Sequence, residues 1–99
     1  MRIRVVLPQH LQTLAGSGRE VAVDTDGAAS VRTVLDALEA QHPQLRGTIR
    51  EHGTLKRRPR VRFFAAGLDV SHESLDAELP KAVTEEREPF MIVGAVAGG

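Results

Sequence analysis

The last two residues of the sequence, Gly98 and Gly99, are the residues whose types best suit a chemical role. They follow the hydrophobic segment FMIV through a short linker of small residues, GAVA. A terminal carboxylate is a poor electrophile, because attack on it must build up further negative charge. Adenylation with ATP converts one oxygen into part of a leaving group, but the adenylating site must be narrow and must align the carbonyl. Glycine suits such a site, since without a Cβ it threads a tight channel in any backbone conformation.

Other chemistry is poorly supported by the sequence. The chain has no cysteine, which excludes disulfides, thiolate zinc sites, iron–sulfur clusters and a cysteine nucleophile, and which fits a reducing, cytoplasmic compartment. The four histidines are scattered without the spacing of metal ligands: His10, His42, His52 and His72. AGSGRE lacks the Lys–Ser/Thr pair of a phosphate-binding loop, and nothing resembles a Ser–His–Asp set. We therefore expect no catalytic residue, no metal site and no bound cofactor.

The charge pattern argues against nucleic acids and membranes as partners. Thirteen basic residues balance thirteen acidic ones, and no apolar run approaches the length of a membrane span or of a signal peptide. LKRRPRVR places five basic residues between Lys56 and Arg62, so contact with nucleic acid is one interpretation of this run. The favoured interpretation is a solvated face or a docking site for an acidic partner.

Alternation of apolar and polar residues predicts four strands and a brief fifth one. The predicted strands and their inward residues are RIRVVLP (Ile3, Val5, Leu7), EVAVDTDG (Val21, Val23), PRVRFFAAG (Val61, Phe63, Ala65) and EPFMIVGA (Phe90, Ile92). LDV, after the turn at Gly67, is expected to be a short edge strand. QHLQTLAGSGRE is expected to be a loose loop between the first two strands, anchored by Leu11 and Leu14.

SVRTVLDALEAQHP changes to a helical period. Its apolar residues fall at i, i+3, i+4 and i+7: Val31, Val34, Leu35 and Leu38. Ser30 is predicted as the N-cap, and Pro43 is predicted to stop the helix. Asp36 and Glu39 are expected on its exposed side as solubilising charges. Leu45 and Ile49 beyond it indicate a short second helix or a packed loop.

These elements predict a single α+β domain over residues 1–99. One sheet and one main helix can bury their apolar faces only against each other. The final strand hides both of its hydrogen-bonding edges if it enters between the first and third strands. The expected fold is therefore a β-grasp, or ubiquitin-like, arrangement with a mixed sheet of four to five strands. Residues 94–99, the tail, are expected to be flexible.

The outward residues of neighbouring strands predict a docking face for a partner protein. Its apolar part consists of Met91, Val93 and Phe64, with Val6 as a further candidate, and its charged rim consists of Arg4, Arg60 and Arg62. Exposed apolar clusters with charged rims commonly mark protein interfaces. The alternative is that these are scattered surface residues of no special role.

The hairpin, the SVRTVLDALEAQHPQL helix, VRFFAAGLDV and a last strand running into AVAGG together resemble the ubiquitin-like sulfur-carrier family. That family includes the small subunit of molybdopterin synthase, the thiamine-pathway carrier and a carrier for cysteine synthesis. The chain departs from it at AAG (65–67), where Asn–Gly is common, at TEEREP (84–89), and at Gly94, where proline is common.

The resemblance implies a carrier and not an enzyme. An ATP-dependent, E1-like enzyme would adenylate Gly99, and sulfur from a donor would convert it to a thiocarboxylate. The remaining tail residues would make this possible: Gly94, Ala95, Val96, Ala97 and Gly98. The sulfur acceptor would be a molybdopterin-synthase large subunit, a thiazole synthase or a cysteine synthase, and the sequence does not select among them.

Two other functions share the same tail. A protein modifier would be joined through Gly99 to lysines of other proteins, after the same adenylation. An interaction domain with an idle tail would be unaffected by loss of Gly98 and Gly99.

Overall fold

The computed structural model of the chain describes residues 1–94. The strands are β1 (Arg2–Val6), β2 (Glu20–Asp24), β3 (Val61–Ala65), β4 (Leu68–Asp69) and β5 (Phe90–Gly94). The α-helices are α1 (Gln9–Ala15), α2 (Val31–Gln41) and α3 (Lys81–Thr84), and a 3-10 helix covers Pro43–Leu45. Among the helices of this described part, none is long and apolar enough to cross a membrane.

The five strands form one mixed sheet in the order β2-β1-β5-β3-β4. β1 pairs antiparallel with β2, and β3 pairs antiparallel with both β4 and β5. β5 runs parallel to β1, with Val5 opposite Phe90 and Val6 opposite Met91. The last strand therefore lies between the first and the third and has a neighbour on both edges. This confirms the predicted β-grasp arrangement.

The core lies between one face of the sheet and α2. The residues predicted to face inward on β1, β3 and β5 are all buried, as are the four apolar residues of the helix. At the centre, the rings of Phe63 and Phe90 have centroids 5.6 Å apart and planes tilted by 34°. Burial of each large apolar side chain contributes about 1.5–3 kcal/mol, so this contact holds β5 firmly beside β3.

The helix α2 has Ser30 as its N-cap, as predicted, and hydrogen bonds in its first turn stabilise this start. The Ser30 hydroxyl accepts from the Thr33 N–H at 3.2 Å, and the Thr33 hydroxyl oxygen accepts from the Ser30 N–H at 2.9 Å. This reciprocal pair is a capping box in which threonine replaces the usual Glu or Gln. The helix ends at Gln41, two residues before Pro43, because the residue before a proline is pushed out of the helical region.

The prediction of a loose loop between the first two strands is wrong, because residues 9–15 form α1. Leu11 and Ala15, spaced i and i+4, are buried on the side of the helix that packs against the core. Leu14, expected to be an anchor, is instead 45 % exposed. The four-residue helix α3, also not predicted, buries Val83 shortly before β5.

The prediction that Asp36 and Glu39 both lie on the exposed side of α2 is wrong for Glu39, which is 7 % exposed. Its two carboxylate oxygens accept hydrogen bonds from Arg50 Nε at 2.9 Å and from Arg50 Nη2 at 3.2 Å. Arg50 is itself buried, and its Nη2 also donates to Asp36 Oδ1 at 2.6 Å. These three side chains tie the long segment before β3 to the helix.

Candidate functional site

The predicted docking face lies on the side of the sheet opposite α2. Alternate residues of β5 are buried in the core, so Met91 and Val93 project from the other side. Cross-strand register places Met91 between Val6 of β1 and Phe64 of β3. The structure therefore brings the predicted apolar residues together on one surface.

Val93 is the most exposed apolar residue of the docking face. It is 42 % exposed, whereas Met91 and Phe64 are half-buried. Val6, the further candidate, is only 5 % exposed, and it lies in register between Glu20 and Met91. Val6 therefore supports the face from within and offers little surface to a partner.

Arg4, on one side of the face, is held by a two-pronged ion pair. Its Nε and Nη2 donate to Glu20 Oε2 and Oε1 at 3.1 Å and 2.9 Å, and its Nη1 donates to the carbonyl oxygen of Glu86 at 3.1 Å. The hydrogen bond and the charge of Glu20 raise the pKa of Arg4, and the same hydrogen bond lowers the pKa of Glu20. Because the pair is exposed, salt screens it and its contribution to stability is small.

Arg62, on the other side, is paired with a carboxylate of the edge strand. Its Nη2 and Nε donate to Asp69 Oδ2 at 2.6 Å and 3.1 Å, and the Ser71 N–H donates to Asp69 Oδ1 at 2.9 Å. Hydrogen bonds from Ser71, and then the Arg62 guanidinium, hold the pKa of Asp69 well below its ordinary value. Arg60 is exposed immediately before β3. Two of the three predicted rim arginines thus present ion pairs to a partner, not free cations.

The basic run LKRRPRVR is partly structural. Arg57 Nη1 donates to the carbonyl oxygen of Val61 at 2.7 Å, and its Nε donates to that of Ser71 at 3.2 Å. Arg58 Nη1 donates to the carbonyl oxygen of Gly47 at 3.0 Å. These bonds fasten the irregular segment before β3, a role that neither interpretation of the run had included.

Gly94, the last residue of β5, is the root of the tail. It pairs with Val61 of β3, and a Cβ built on it would lie 3.3 Å from Cε1 of His10 and 3.9 Å from Cγ of Pro8. The last residue of β5 therefore lies beside the start of α1. The rest of the predicted tail lies outside the described residues: Ala95, Val96, Ala97, Gly98 and Gly99.

The position of His10 beside Gly94 was not predicted from the sequence. Its approach to Gly94 depends on α1, which was predicted as a loop, and on the parallel pairing of β1 with β5. A glycine at the end of an otherwise apolar strand is the one sequence signal that pointed to a close approach there.

The predicted docking face and the tail root share one strand, since Met91, Val93 and Gly94 all belong to β5. Within residues 1–94, no group of three or more His, Cys, Asp or Glu side chains is placed to hold a metal ion.

Neither protein-family models nor curated proteins give a match to this chain. Several solved structures, in contrast, are similar to it. The crystal structure of SAMP1 from Haloferax volcanii is 27 % identical with a TM-score of 0.75, and the match covers 100 % of both chains. A chain of the Amycolatopsis orientalis BexX/CysO complex is 25 % identical with a TM-score of 0.71, covering 97 % of this chain and 98 % of that one.

A third similar structure, the small archaeal modifier protein 1 of Methanosarcina acetivorans, supports the fold alone. It is 23 % identical with a TM-score of 0.72, and the match covers 99 % of this chain and 96 % of that one. These matches run from end to end, so the resemblance covers the whole arrangement of strands and helices.

Proposed function

Because this chain is a ubiquitin-like β-grasp protein similar throughout its length to SAMP1 and CysO, we propose that it is a sulfur carrier activated at Gly99. These neighbours bear out the resemblance to ubiquitin-like sulfur carriers that the sequence indicates. The observation that carries the proposal is the end-to-end match, combined with a central strand that leads into a Gly–Gly tail.

The proposed chemistry takes place at the carbonyl of Gly99 on a partner enzyme. A carboxylate oxygen attacks the α-phosphorus of ATP, pyrophosphate leaves, and an acyl-adenylate forms. Hydrosulfide, or sulfur released by the donor at the same oxidation level, then attacks the carbonyl carbon, and AMP leaves with the electron pair of the carbon–oxygen bond. The product is a thiocarboxylate, which is ionised at neutral pH and has a soft, nucleophilic sulfur. Gly98 and Ala97 keep the approach to this carbon small.

The docking face supplies the binding surface that an adenylating enzyme requires. Val93 offers exposed apolar surface directly before the tail root, and Met91 and Phe64 extend it across two strands. The ion pairs of Arg4 and Arg62 surround it with fixed charges of both signs, which favours one orientation of a partner. An adenylating enzyme that binds this face receives the tail in a defined place.

In this proposal the chain is a substrate and sulfur carrier, and the enzymes that act on it are its partners. They are an E1-like adenylating enzyme that uses ATP, a sulfur donor and a sulfur-accepting enzyme. The acceptor is a molybdopterin-synthase large subunit, a thiazole synthase or a cysteine synthase. CysO lies in a complex with BexX in its crystal structure, so a neighbour of this chain does assemble with another protein. A cytoplasmic location fits the absence of cysteine.

Alkylation of the chain isolated from its own host tests the proposal. Because the chain has no cysteine, a terminal thiocarboxylate is the expected site for iodoacetamide under mild conditions. We expect label at Gly99 of the full chain and none on a control that lacks Gly98 and Gly99. An unlabelled full chain from cells that contain its activating enzyme would contradict the proposal.

A second function, a protein modifier, is favoured by the similarity to SAMP1 of Haloferax volcanii, since SAMP1 stands for small archaeal modifier protein 1. In that case the amine of a lysine on another protein attacks the acyl-adenylate, AMP leaves, and Gly99 becomes amide-linked. Immunoblots of host lysates distinguish the two functions. A ladder of conjugates that disappears when Gly98 and Gly99 are removed supports the modifier, and label without a ladder supports the carrier.

A further inference from the structure

We propose that His10 is a positioning residue for the tail: its ring lies over Gly94 and restrains the residue from which the tail continues. The inference rests on the proposed function, since a tail that carries no chemistry needs no defined direction. It assigns to an exposed histidine of α1 a role that neither the docking face nor the chemistry at Gly99 includes.

The His10 ring lies beside the space that a side chain at position 94 would occupy. A Cβ built on Gly94 would lie 3.3 Å from Cε1 and 3.8 Å from Nε2 of His10, a separation tighter than most real Cβ contacts. A side chain at this position would therefore press on the ring, which would have to shift by a few tenths of an ångström. Within the sheet, Gly94 pairs with Val61 of β3. Gly94 is therefore paired with a neighbouring strand, and the imidazole lies where its side chain would be.

The backbone that carries the ring is itself fixed. Leu11, the next residue, is 2 % exposed and anchors α1 in the core. The N–H groups of Leu11 and Gln12 both donate to the carbonyl oxygen of Pro8 at 3.0 Å, and Gln12 Nε2 donates to that of Leu7 at 2.8 Å. The His10 side chain, in contrast, is exposed. Its removal should therefore alter the tail root without disturbing the core.

The direction of the chain at Gly94 determines where Gly99 can go. Five residues follow Gly94, and they extend over at most roughly 17 Å. Ordering the backbone of one residue lowers the number of accessible tail conformations by about a factor of ten. A ring that restricts Gly94 thus raises the fraction of docked chains whose Gly99 reaches an adenylating site.

The test compares His10→Ala and His10→Phe with His72→Ala, which removes another exposed histidine, far along the sequence. The first readout is hydrogen exchange at the Gly94 amide, and the second is the rate of thiocarboxylate formation in host cells at matched protein levels. We expect His10→Ala to speed exchange at Gly94 and to slow thiocarboxylate formation by roughly threefold to tenfold. His10→Phe, which keeps an aromatic ring without its nitrogens, and His72→Ala should both match wild type.

A double-mutant cycle with Gly94→Ala adds a test of the contact itself. The added methyl group should slow thiocarboxylate formation by pushing against the His10 ring, and the combined His10→Ala, Gly94→Ala change should cost less than the sum of the single changes. Unchanged exchange in His10→Ala, additive effects in the cycle, or loss of activity in His10→Phe would overturn the inference. If wild type forms no thiocarboxylate at all, the proposed function fails, while the exchange data still decide whether His10 restrains Gly94.

Discussion

Arg50 connects the long irregular segment before β3 to α2, and its environment could be predicted only in part. Glu39 follows Val31 and Leu35 at i+8 and i+4, so the helical period places it at the edge of the apolar stripe. That spacing was a usable signal for its burial. Its partner was not predictable, because Arg50 lies in a segment without periodicity and reaches Glu39 only through the tertiary fold.

Removal of the Glu39 carboxylate should leave a buried guanidinium with a poorer set of partners. We expect Glu39→Ala to lower the free energy of unfolding by about 3 kcal/mol, because breaking one side of a buried ion pair is strongly destabilising. Asp36→Ala is the matched control. Its side chain is 56 % exposed, so the loss should stay below about 1 kcal/mol. Urea unfolding measures both changes, and equal losses for the two variants would contradict the buried pair.

The hairpin between β3 and β4 contains a replaceable strained residue. Ala66 and Gly67 have φ of 52° and 78°, as a type I′ turn requires, and alanine is disfavoured there by about 1 kcal/mol. Ala66→Asn should therefore raise the free energy of unfolding by about 0.5–1 kcal/mol, because asparagine tolerates this conformation. Gly67→Ala is the opposite change and should lower it. A loss of stability in Ala66→Asn would show that the turn geometry is different.

At the scale of elements, the alternation of its sequence largely predicted how β5 places its residues. Its inward residues pack in the core, its outward residues form the face proposed for docking, and Gly94 is its last residue. Strands like β5 were predictable because a half-buried strand has a period of two residues. The helix α1 was not predictable in this way. It has only seven residues, only Leu11 and Ala15 among them are buried, and two glycines and a serine follow directly after it, which favoured a loop.

The docking role of β5 is best tested at Val93. We expect Val93→Asp to lower thiocarboxylate formation by about tenfold, since loss of an interface anchor commonly has this effect. Folding should be preserved, because Val93 is 42 % exposed and Arg62 lies opposite the new carboxylate. Leu68→Asp on β4 is the control, an apolar residue that is 65 % exposed away from the docking face. Equal effects of the two changes on activation would argue against the face.

At the scale of the whole molecule, the net charge is zero, and several residues of opposite charge form local ion pairs on the surface. The overall topology followed from the sequence, since the order of elements and the need to cover both edges of the last strand leave one arrangement. The ion pairs of Arg4 and Arg62 in the predicted rim were not foreseen, because Glu20 and Asp69 were not assigned to these arginines as cross-strand neighbours. The register of the strands determines which residues form these ion pairs, and the sequence pattern does not specify that register.

Acid should weaken the fold through these pairs. The pKa of Asp69 is lowered in the folded state, by Ser71 and then by Arg62, so the carboxylate stabilises the fold above its ordinary pKa of 3.8 and loses that contribution as the pH falls below it. Melting temperatures between pH 6 and about pH 3 measure this loss. We expect Asp69→Asn to flatten the decline, and Asp26→Asn, at an exposed aspartate of the loop before α2, to leave it as in wild type. Parallel declines for wild type and Asp69→Asn would contradict the assignment.

The state of the C-terminus in the host tests the central claim most directly. Trypsin cleavage after Arg87 releases residues 88–99, and exchange of one oxygen for sulfur raises the mass of this peptide by about 16 Da. Oxidation of Met91 gives nearly the same gain, so fragmentation of the peptide must locate the change. The account predicts that the added mass lies on Gly99. A peptide whose only added mass lies on Met91, from cells that contain the activating enzyme, would contradict it.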